Sequence, residues 1–146
     1  KVMSSLIKFL FLFSLFFIIV GCSQKLATTT LSLQGEEFTV EIVDTLASQK
    51  QGLSNRQNLA GNSGMLFVFE DLKVRSFWMK DMNFPLDIIW LVDDKIIGWK
   101  KNAPVPQDDV FPSYKSPQPA NQVLEISAGL IEQLNLEIGD IITINL

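Results

Sequence analysis

Residues 64–87 read GMLFVFEDLKVRSFWMKDMNFPLD, and the expectations for the rest of the chain start from this stretch. Met65 to Phe69 is an unbroken apolar run, Phe77 to Met79 is a second, and Phe84, Pro85 and Leu86 form a third. Aromatic and β-branched residues suit a pleated, half-buried surface, so the first two runs predict two buried strands joined by a polar connection around Glu70, Asp71 and Lys73. Side chains alternate along a strand, which sets Trp78 and Lys80 on one face and Phe77 and Met79 on the other.

The flanking sequence extends the β pattern. On the amino-terminal side, Thr28 to Leu33 and Glu37 to Val43 read as a hairpin around Gln34-Gly35-Glu36, with Phe38, Val40 and Ile42 inward. Thr45 to Gln51 reads as a short helix that Asp44 or Thr45 caps and Gly52 stops. Beyond Asp87, Ile88 to Val92 and Lys95 to Lys100 form a second hairpin; Asp93-Asp94 is a weaker turn signal than Asp-Gly, leaving a longer loop open. Five of the six prolines fall between Ala103 and Gln122, together with Phe111 and the lone Tyr114, which predicts a long, semi-rigid loop. Val123 to Ile126 is a strand, Ser127 caps a helix carrying Leu130, Ile131 and Leu134, and Gly139-Asp140 turns into a last strand at 141–146. The total is seven to eight strands and two short helices: a mostly β, α+β domain built as a small barrel or sandwich over residues 28–146.

The first 21 residues stand apart. Lys1 and Lys8 form a basic start and Phe9 to Val20 an apolar run, shorter than the roughly 20 residues a membrane-spanning helix needs. Ile19-Val20-Gly21-Cys22 closes it in the manner of a lipoprotein signal, so Cys22 is the expected site of lipidation and residues 22–27 a short tether. The expectation is an exported protein, lipid-anchored to the cell membrane or outer membrane and facing the periplasm or exterior. After Gly21 all 16 acidic residues but 10 of the 12 basic ones remain, a net charge of 10 − 16 = −6, which argues against nucleic acid as a partner.

Three motifs carry a resemblance. GMLFVF at 64–69, FWMK at 77–80 and PLDIIW at 85–90 resemble the bacterial and archaeal family called domain of unknown function 192, here in a lipoprotein-type member. Gly52-Leu53-Ser54-Asn55-Arg56 resembles the family's Gly-Leu-Met-x-Arg element with Ser54 in place of Met, and Asp81-Met82 stands where Asn-Thr is common. The resemblance implies a β-rich domain, often exported or membrane-attached, with no established activity.

The residues themselves narrow the chemistry. With no histidine and one cysteine, imidazole general bases, imidazole metal sites and internal disulfides are excluded. No cofactor motif is present. The favoured reading is a module for an unknown small-molecule or protein ligand, with an aromatic cleft of Trp78, Trp90, Trp99, Phe111 and Tyr114 and polar contacts from Arg56, Lys80 and Asp87. One alternative is a hydrolase using Asp87 or Asp81; another is a soft-metal site for Cu(I) built from Met65, Met79 and Met82.

Overall fold

The computed structural model describes residues 25–108 and 110–145; the expected signal segment and Cys22 lie outside the described residues. In chain order the elements are β1 (Thr28–Leu33), β2 (Glu36–Val43), α1 (Leu46–Gln51), β3 (Ser63–Lys73), β4 (Ser76–Trp78), β5 (Leu86–Val92), β6 (Lys95–Ala103), β7 (Ser113–Lys115), β8 (Ala120–Ser127), α2 (Leu130–Gln133) and β9 (Thr143–Asn145). Seven strands form one mixed sheet in the order β6-β5-β8-β3-β2-β1-β9, and β4 and β7 form a separate two-stranded ribbon. The result is sandwich-like and α+β, and the sheet does not close into a barrel.

Local chemistry explains the connections. Gln34 and Gly35, at φ 49° and 85°, make the two-residue turn between β1 and β2. The β2–β3 pair is parallel, so it needs a crossover, and α1 supplies one. Thr45, not Asp44, caps that helix: its hydroxyl accepts from Ser48 N–H, the Ser48 hydroxyl accepts from Thr45 N–H, and Gly52 ends the turn.

The central strands β3, β8 and β5 are covered on both faces, hence their nearly continuous apolar sequences. One face carries Leu66, Leu124, Ile126, Ile89 and Leu91 beneath Ile131, Leu136 and Ile142. The other carries Met65, Phe67, Val123, Ile88 and Trp90 beneath Leu53, Met79 and Met82.

Several expectations need correction. β3 continues through Glu70 and Asp71 to Lys73, which pairs with Ala120 after a register shift, so the polar residues extend a strand. Their charges are tolerated because that end is exposed and Asp71 pairs with Lys73 and Arg75. β4 is an exposed three-residue strand, not a buried one, with Trp78 52% accessible. The proline-rich segment contains β7, because Pro112 and Pro117 flank a proline-free stretch that pairs with β4. Asp93-Asp94 is a two-residue turn after all, both residues at positive φ, held by side chains of Asn121 and Gln122 that bond the two Asp N–H groups and carboxylates. Gly129, not Ser127, precedes α2. The last strand is only Thr143–Asn145, paired with β1, and the segment before it bonds to the start of β6 through Lys95 and Ile141.

Candidate functional site

A groove of about 470 Å³ opens where β6 passes beneath β7, and its walls combine aromatic rings with positive charge. Trp90 comes from β5, Trp99 and Lys100 from β6, and Tyr114 and Lys115 from β7. Pro117 closes one side by lying directly over Gly98, the position opposite Trp90 in the ladder; a Cβ there would come within 2.6 Å of the proline ring. The Lys100 ammonium lies 5.0 Å from the Tyr114 ring centroid, whereas Lys101, which does not line the groove, lies 5.3 Å from the Trp99 ring centroid and 3.7 Å from Glu132 of α2. Among the described residues no carboxylate lines the groove, although the chain as a whole is acidic.

Trp90 and Tyr114 each bring a polar group to this region. Trp90 is 3% exposed and its indole Nε1–H has no acceptor, an uncommon condition for a buried polar group. Burial raises the Tyr114 pKa, so its hydroxyl keeps its proton. With two ammonium groups beside them, the groove suits a ligand with a planar or apolar body and a negatively charged or acceptor-rich end.

The sequence-derived candidates divide. Trp90 and Tyr114 meet in the groove; Trp99 borders it, but its side chain packs against the first core cluster on the other face of the sheet, and the half-exposed Phe111 is not among the lining residues. Trp78 and Lys80 sit elsewhere: Lys80 lies beyond the end of β4, yet its Nζ is 5.5 Å from the Trp78 ring centroid, so the two share one side as expected. Arg56 is held by Glu41 in a bidentate pair at 2.5 and 2.7 Å, with hydrogen bonding as the main cause of a lowered Glu41 pKa. That pair borders a larger hollow of about 700 Å³ between residues 25–28 and α1, where the guanidinium is already neutralised.

Asp87 is completely buried and structural. Its carboxylate oxygens accept from Asn102 N–H at 2.7 Å and Ile131 N–H at 2.9 Å, so it is the remote cap of α2 and is not available to the cleft or to hydrolytic chemistry. Asp81 is exposed on a turn at φ 58°. Met65, Met79 and Met82 are all buried in the second core cluster as apolar filler. Among the described residues no three His, Cys, Asp or Glu side chains cluster to hold a metal ion.

Two participants were missed by sequence reasoning. Lys100 and Lys115 look like ordinary surface lysines until β6 and β7 are brought together. Glu125 lies between Met65 and Ile88 in the ladder, 5% exposed, and burial pushes its carboxyl up to about 8.

The family described as Uncharacterized ACR, domain of unknown function 192, matches residues 28–144. The chain belongs to this family. Two solved structures resemble this domain of unknown function 192 protein, each at 29% identity. One, provisionally described as a transcription regulator from Sinorhizobium meliloti, has a TM-score of 0.73 over 82% of this chain and 95% of its own. The other, a protein of unknown function from Novosphingobium aromaticivorans, has a TM-score of 0.70 over 80% of this chain and 84% of its own. No curated protein matches the chain.

Proposed function

We propose that this protein is an exported, lipid-anchored binding module, not an enzyme, and that its ligand is a small anion with an aromatic or apolar body. The observation that carries this reading is the Lys100 ammonium over the Tyr114 ring in a groove whose charged lining residues are all lysines. Anchoring is supported by the Ile19-Val20-Gly21-Cys22 sequence behind an apolar run. The regulator description belongs to the Sinorhizobium meliloti protein, and an acidic chain of net charge −4 offers little electrostatic footprint for nucleic acid.

Fluorescence titration with anilinonaphthalene sulfonate, an anionic aromatic probe, tests the groove. Replacing both lysines, Lys100→Glu with Lys115→Glu, reverses the local charge without touching the core. Binding should weaken at least tenfold while the circular dichroism spectrum stays unchanged. Equal binding by both proteins would refute the assignment.

A further inference from the structure

The exit of the amino-terminal segment lies beside an exposed apolar surface. Ala27 O accepts from Ile42 N–H at 2.8 Å, which fixes the chain against β2, and Lys25 and Leu26 border the same hollow as Ala47 and Ser48 of α1. On its other flank α1 presents Leu46 and Lys50 to a second hollow, shared with Val74, Phe77 and Trp78. Leu46 is 88% exposed, Val74 55% and Trp78 52%, a concentration of large apolar side chains that is unusual on one small surface.

We propose that this surface, centred on Leu46, Val74 and Trp78, seats the domain on the lipid bilayer that holds its anchor. The proposal rests on lipidation at Cys22, part of the reading above, and adds the face that meets the membrane. Ala27 lies five positions after Cys22, and at about 3.3–3.6 Å per residue that span reaches at most roughly 18 Å. A domain tethered so closely must turn some part of the exit surround toward the bilayer. On the β1–β9 side that surround is polar, with Thr28, Thr29 and Asn145. On the α1 side the hollow beside the exit is polar, with Glu41, Asp44 and Arg56, but the far flank of the helix carries the exposed Leu46, Val74 and Trp78.

Charge and rigidity agree with this orientation. Lys80 reaches over the Trp78 ring, which pairs an indole with an ammonium in the arrangement that suits the headgroup boundary. Lys50 borders the hollow as well, while Arg75 is occupied by Asp71 and by the Phe69 ring 3.8 Å away. The local charge is therefore more positive than that of the acidic chain. Gln49 Nε2 donates to Val68 O at 2.8 Å and holds α1 against β3, so Leu46 is presented on a fixed support. Three side chains bind a bilayer weakly in isolation, but the tether makes the contact intramolecular and raises its effective concentration to the millimolar range.

The test uses the full chain produced in a bacterial envelope, labelled with a fatty-acid probe and reconstituted into phosphatidylcholine vesicles with or without brominated acyl chains. Bromine quenches only indoles in contact with lipid. Wild-type emission should fall in brominated vesicles. Trp78→Phe, which keeps Trp90 and Trp99, should lose at least half of that quenching. Leu46→Ser combined with Val74→Ser should lose it too, at unchanged thermal stability because both positions are exposed. A labelled wild-type chain whose emission ignores bromine overturns the surface while leaving the anchor intact. Absence of fatty-acid labelling overturns the anchor and this orientation together.

Discussion

The carboxylate of Asp87 on β5 lies 2.9 Å from the amide nitrogen of Ile131 on α2, 44 residues further along the chain. A second oxygen takes the Asn102 N–H at 2.7 Å, where β6 carries a residue at φ 49°. One side chain thus fastens a helix start and a strand irregularity to the middle of the sheet. Asp87→Ala strands two backbone donors, each costing about 1–3 kcal/mol, and should destabilise by about 2–5 kcal/mol. Asp87→Asn keeps one acceptor and should fall between that variant and wild type in urea denaturation.

Stability should decline with pH across the range set by Glu125. Its folded pKa of about 8 lies above the ordinary 4.5, so between those values the folded state keeps a proton that the unfolded state has lost. The contribution is complete below about pH 4.5, falls by about 1.4 kcal/mol per unit at most as pH rises, and is gone above 8. Glu41 and Asp71, with lowered values, act below this range and in the opposite sense. Thermal melts from pH 5 to 8 should slope downward for wild type and flatten for Glu125→Gln. Parallel slopes would place the Glu125 carboxyl in water.

Phe67 is 2% exposed and meets Phe77 edge to face, with ring centroids 4.7 Å apart. Truncation removes packing on the face that supports both Gly52 and β4. Phe67→Ala should cost about 3–5 kcal/mol, a large part of a typical total of about 5–15 kcal/mol. A midpoint lowered by less than a few degrees would contradict this packing.

Gly98→Ala probes the closed side of the groove. The added methyl meets Pro117 at 2.6 Å, so the segment carrying Pro117 must shift, at about 1–3 kcal/mol. We expect lower stability together with altered affinity for the anionic probe. An unchanged affinity would show that Pro117 does not shape the ligand's position.

The parts of this fold that were legible in the sequence are those whose cause is local. Alternation at Phe38 and Val40 revealed β2, and the apolar runs at 64–69 and 88–92 revealed strands covered on both faces. Gly52 and Thr45 marked their helix because caps are local. The site was less legible because its residues become neighbours only through pairing. Phe77 pairs with Tyr114 and Trp90 with Gly98, so Trp90, Lys100 and Tyr114 converge only when β5, β6 and the ribbon are assembled. Motif density drew attention to FWMK, yet Trp78 and Lys80 belong to an exposed edge away from the groove. Asp87 was expected to supply a polar contact to the aromatic cleft, or a hydrolytic carboxylate. Its partners, two backbone amides, leave no trace in side-chain chemistry.

The ladder between β1 and β9 has a kinetic consequence. Thr30 pairs with Asn145, so β1 finds one of its partners only when a segment more than a hundred residues further along arrives. Folding must therefore close a loop of more than a hundred residues, and pairings of that range make for slow folding. During synthesis the earlier hairpins can form in turn, but β1 keeps an open edge until residues 143–145 emerge. An unpaired strand edge is a template for aggregation, and here it waits on a partner more than a hundred residues away.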